Sequence, residues 1–153
     1  MYVPITLANL LSPMLIAAVL AWFGAQSTKI IIDLIEGKRL SSDVIYRTGG
    51  MPSSHSAFVT AMTMSVLLTE GLSNLFFISL GFSIIVAVDA FGVRNQVGTQ
   101  AKLINILIKE IKFNLRKHNM KFLGELVGHS GLQVFFGMVT GVISSLIVHF
   151  IIF

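Results

Sequence analysis

The chain has 153 residues, 54% hydrophobic and 12% charged, with no cysteine and a formal net charge of +4. A mean hydropathy of +0.84 and a charged fraction about half that of soluble domains exclude an ordinary water-soluble fold. The missing cysteines exclude disulfides and thiolate metal centres.

About 20 apolar residues are needed to cross a bilayer, and the chain offers four such runs. The opening "MYVPITLANLLSPMLIAAVLAWFGAQ" has no basic n-region, which argues for a first span from about Ile5 to Ala25 over a cleaved signal peptide. No charge interrupts it before Lys29. "STKIIIDLIEGKRLSSDVIYRTGGMPSS" continues that helix and then loops back, with Gly37 and Gly49-Gly50 as stops. The second span, "SAFVTAMTMSVLLTEGL", begins just after His55. A short turn near Gly71 to Asn74 leads to the third, "NLFFISLGFSIIVAVDAFG". Basic residues then mix with Leu103, Ile106, Leu107, Ile111 and Leu115 at a spacing that fits one helical face, which predicts an interfacial amphipathic helix. "LQVFFGMVTGVISSLIVHFIIF" is the fourth span. The expected fold class is all-α: a polytopic membrane helix bundle of about four transmembrane helices plus the amphipathic helix, as a single domain over residues 1–153.

All eleven Lys and Arg fall in two stretches, Lys29 to Arg47 and Arg94 to Lys121. Four spans put both stretches on one side, and the positive-inside rule makes that side cytoplasmic. Both termini then face outward.

A small set of polar residues gathers at the cytoplasmic ends of these spans. Ionisable groups near membrane depth are costly and mark function by default. "GGMPSSH" places glycines, Gly50 among them, before Pro52, Ser53 and Ser54 at a helix start, where free N–H groups and the positive dipole end suit an anion. Lys29, Arg47 and Arg94 could add cationic donors for phosphate oxygens. His55 and His129 each open an apolar helix, as a nucleophile and a general acid would. Asp89 stands near Arg94 as a supporting acid or its ion-pair partner. His129 and Gln133 are i, i+4 and share a face that Gly137 and Gly141 extend, leaving room for a close neighbouring helix. Phosphate chemistry with two histidines at a membrane face points to phosphoryl transfer from a lipid-borne substrate.

These residues carry a family resemblance. "MPSSHSA" resembles the second signature of the type 2 phosphatidic acid phosphatase (PAP2) superfamily, usually Pro-Ser-Gly-His. "HSGLQVFFGMVTG" resembles the latter part of its third. Together with "VDAFGVRNQVGTQAKLIN", the set is similar to the divergent branch of that superfamily, small membrane proteins of bacteria and plants. The resemblance implies that His129 attacks phosphorus, that His55 protonates the leaving alcohol oxygen, and that Ser53 binds phosphate. It also makes Lys29 and Arg94 phosphate ligands, with Arg47 standing in for an absent Arg-Pro pair. Ser54 replaces a glycine. Gln133 replaces the carboxylate that orients the nucleophilic histidine.

The implied activity is metal-independent hydrolysis of a phosphomonoester or diphosphate on a membrane lipid, with no cofactor. The substrate would be a phospholipid such as phosphatidylglycerophosphate or phosphatidic acid, or an isoprenoid phosphate, in a bacterial cytoplasmic membrane. Gln133 keeps a second reading open, a weakly active or inactive protein that binds or moves a phospholipid. A third is an assembly factor whose basic helix recruits a partner. Four spans are few for the superfamily, so a homodimer could complete the enclosure. The basic stretches lack interleaved aromatics, so no nucleic acid is expected. No H-x-x-x-H or H-E-x-x-H spacing suggests a metal.

Overall fold

A computed structural model describes residues 12–37, 50–124 and 128–153. Among these it is all-helical. Helix α1 is Pro13–Ile35, α2 Ser54–Glu70, α3 Asn74–Val88, α4 Arg94–Glu110 and α5 Gly131–Ile147. A π turn, Asp89–Val93, joins α3 to α4, and a second, Val148–Ile152, extends α5. The predicted loop carrying Arg47 and most of the first turn-back lie outside the described residues.

Serine caps set the helix starts. Ser12 accepts from the Leu15 N–H with Pro13 at the first helical position, where its missing N–H costs nothing. Ser53 caps α2 through Ser56, Ser73 caps α3 through Phe76, and Ser130 caps α5 through Gln133. Each satisfies an N–H that would otherwise be left bare near the membrane.

Among the described residues, three helices are long and apolar enough to cross a membrane: Pro13–Ile35, Asn74–Glu110 and Gly131–Ile152. Helix α2, at 17 residues, sits at the lower limit for a span and forms the centre of the bundle, packed on α1, α3 and α5. The expected amphipathic helix exists as α4, and it runs on from span three through the π turn. At about 1.5 Å per residue such a helix far exceeds the ~30 Å hydrocarbon core, so its charged half must lie beyond it or along its face.

The core is built of small side chains. Ala17, Ala21 and Ala25 recur every four residues on α1 and meet Ala57 and Ala61 of α2, with Val148 beside them. In lipid, where apolar burial drives little association, such stripes let backbones approach and gain dispersion contacts. Gly137 and Gly141 do the same for α5: a Cβ on Gly137 would collide with the Ser53 carbonyl, and one on Gly141 would lie 2.9 Å from the Ala61 nitrogen. The small-residue face predicted for α5 is thus spent inside the bundle, against α2. Polar groups in the α2–α3 contact pair with each other, Thr63 Oγ1 lying 2.7 Å from Ser83 Oγ, and Ser83 Oγ donating to the Val59 carbonyl at 3.0 Å.

Candidate functional site

The C-terminal part of α1, the start of α2, the end of α3 and the start of α5 meet at one end of the bundle. Hydrogen bonds among the described residues tie them. Lys29 Nζ donates to Ser54 Oγ at 3.2 Å. The Ser53 N–H donates to the Gln133 carbonyl, and the His129 N–H to the Ala90 carbonyl, both at 3.0 Å. Beside them lies a cavity of about 210 Å³ lined by His55, Asp89, Arg94 and His129, with Ile85 and Val86 as an apolar wall.

His129 is 3% exposed, and its Nε2 has no hydrogen-bond partner. A buried polar atom left unpaired is costly unless a ligand completes it. Burial, reinforced by the nearby Lys29, His55 and Arg94, holds the imidazole down to a pKa of about 4. At neutral pH the ring is therefore uncharged with a lone pair to give. Lys29 is equally buried, as is Asp33 one turn on, which share a face of α1. Arg94 pairs through Nε with Asp89 Oδ2.

The first turns of α2 and α5 both start at this end, so two helix dipoles add positive potential to the cations. The arrangement sets cations and an uncharged, unpartnered histidine nitrogen beside a cavity that a second histidine also lines.

A profile of the Divergent PAP2 family matches residues 10–144. The chain belongs to the divergent PAP2 family. It is similar to YuiD of Bacillus subtilis (strain 168), described as an uncharacterized membrane protein, with 40% identity over 144 residues, covering 87% of this chain and 91% of YuiD. No solved structure matches it.

For this divergent PAP2 protein, the predicted residues fall into three groups. His55, Asp89, Arg94 and His129 line one cavity. Lys29 and Ser54 are bonded to each other. Ser53 and Gln133 serve as helix caps: Ser53 Oγ accepts from the Ser56 N–H at 3.3 Å and from Ser56 Oγ at 3.0 Å, and is fully buried. Gln133 Oε1 accepts the Ser130 N–H at 3.0 Å, closing a reciprocal capping box. One acceptor site of this oxygen is thus spent on the cap. Gly50 adopts φ +106° just before the α2 start, a conformation suited to glycine. Arg47 lies outside the described residues.

Sequence reasoning missed two contributors. Gly128 lines the cavity, and its only sequence trace is its place before His129. Asn105, buried on α4, donates to the Leu123 carbonyl at 2.9 Å and accepts the Leu123 N–H at 3.0 Å, pinning the return segment that leads towards His129. An asparagine in an amphipathic stretch gives no sign of that role.

The depressed His129 pKa has a direct consequence. A ring ¹⁵N titration of the phosphate-free protein should place its midpoint near 4, well below the usual 6.5. A midpoint at 6.5 or above contradicts the buried, cation-flanked setting. Because the unfolded chain takes up this proton first, the corresponding stability is complete above pH 6.5 and declines as pH falls towards 4.

Proposed function

We propose that this divergent PAP2 protein is a membrane lipid phosphatase that works through a phosphohistidine. The observation that carries the reading is the unpartnered Nε2 of the buried His129, a residue that lines one cavity with His55 and Arg94. With its proton on Nδ1, His129 attacks phosphorus through Nε2, and the bond from phosphorus to the lipid oxygen breaks. His55 delivers a proton to that oxygen and then takes one from the water that cleaves the phosphohistidine, releasing inorganic phosphate. Lys29, Arg94 and the helix N-termini offset the charge on the transferring phosphoryl group. The basic stretches at this end favour a site on the cytoplasmic face, where a headgroup reaches it from the inner leaflet.

The test is phosphate release by the purified protein from a panel of phosphatidylglycerophosphate, phosphatidic acid and isoprenoid phosphates. Activity that survives both His129→Ala and His55→Ala would sink the mechanism. Replacing Lys29 with methionine removes a charge-assisted donor worth about 1.5–3 kcal/mol. The expected result is roughly a 10- to 100-fold weaker KM for a short-chain substrate; an unchanged KM would remove Lys29 from the phosphate site.

The Gln133 cap favours one second reading. With an amide at this position and its oxygen on Ser130, the protein would bind a phospholipid phosphate without turning it over. A wild-type protein inert on the whole panel that gains phosphate release as Gln133→Asp would support that reading.

A further inference from the structure

The long α3–α4 helix changes its hydrogen-bond register in one place, and that place meets His129. Over Asp89–Val93 the backbone forms a π turn in which the Arg94 N–H donates to the Asp89 carbonyl, five residues back. A helix that returns from five-residue to four-residue pairing passes over one carbonyl, and after an Arg94-to-Asp89 bond that carbonyl is Ala90's. The Ala90 oxygen takes the His129 N–H at 3.0 Å. Ala90 is buried, so leaving that acceptor unpaired would be costly.

Gly128 makes the crossing possible. Its φ is +93°, and a Cβ there would lie 2.7 Å from the Arg94 oxygen and closer still to the Asn95 nitrogen. The π turn also accounts for the Asp89–Arg94 ion pair. Residues five apart do not face each other on an α-helix, where neighbours are three or four apart; a turn closed at five brings them together.

We propose that the π turn, with Gly128 at the crossing, is the device that positions His129. Its passed-over Ala90 carbonyl fixes the histidine's backbone while the same turn sets Asp89 and Arg94 on the cavity. This rests on the reading of His129 as the nucleophile, and Ala90 and Gly128 act as positioning residues through it.

The experiment compares wild type, Gly128→Ala and Gly131→Ala in detergent by amide hydrogen exchange and by kinetics on a short-chain phosphatidic acid. Gly131 is a control because a Cβ there meets nothing within 4 Å. In wild type the His129 amide should exchange slowly, and Gly128→Ala should speed it by at least about 10-fold. The kcat of Gly128→Ala should fall about 100-fold, as expected for a misplaced catalytic group, with KM within about 2-fold because the Lys29 and α2 contacts remain. Gly131→Ala should match wild type in both. An unprotected His129 amide in wild type overturns the proposal without any variant, as does a Gly128→Ala protein that keeps its kcat. If wild type releases no phosphate from any lipid, the phosphatase reading fails, and exchange alone decides the latch: slow in wild type and fast in Gly128→Ala supports it, and equal rates overturn it.

Discussion

His129→Ala should lower lipid phosphate release by at least about 10⁴-fold, because it removes the proposed nucleophile. The expected signature goes beyond lost turnover. Rapid acid-free quenching of wild type with ³²P-labelled substrate should trap label on the protein, and His129→Ala should trap none. His55→Ala should behave differently. It leaves the nucleophile in place, so with a good leaving group such as p-nitrophenol the first step needs no proton donor and label should accumulate while its hydrolysis slows. The two histidines line the same cavity, but only His129 combines near-complete burial with an unpaired Nε2. Equal trapping by His129→Ala and wild type would assign the nucleophile elsewhere.

The helical class, the spans and the gathering of polar residues at one end of the bundle were legible because membranes impose blunt rules on sequence. Long apolar runs and clustered Lys and Arg follow from the cost of charge in hydrocarbon. The face carrying Gly137 and Gly141 was legible as a close-packing surface because both lie at i, i+4 spacing. The missing parts concern backbone conformation. Nothing in "DAFGVRN" distinguishes a π turn from ordinary helix, so the form of the join between span three and the amphipathic helix could not be read. Gln133 illustrates a different limit. Its spacing from His129 would put it on the histidine's face in an unbroken helix, but the helix starts at Gly131 behind an extended Ser130. Gln133 is the third position of a capping box, and the cap engages the side-chain oxygen. Ser53 shows the same competition between local capping and a role in the site.

Gly141→Leu should cost about 3 kcal/mol or more, since overpacking a tight contact typically costs 1–3 kcal/mol even for small additions. The first added atom alone would lie 2.5 Å from the Ala57 carbonyl and 2.9 Å from Thr60 Cβ. Neither is the end of a flexible side chain, so α2 and α5 must separate. Reversible unfolding in mixed micelles should show the loss, and Gly81→Leu, where a Cβ meets nothing within 4 Å, should show little. Gly137→Ala is the more informative partner, because Gly137 lies one turn nearer the site. Its Cβ would press on the Ser53 carbonyl and on Ser56 Cβ, 3.1 Å away, at the point where the Ser53 N–H holds the Gln133 carbonyl. That bond joins the start of α2, which carries His55, to the start of α5, which His129 precedes. The expected result is a moderate stability loss together with a fall in kcat larger than that of Gly141→Ala. The reverse order would mean that the two histidines are held in register by something other than the glycine-lined contact of α2 with α5.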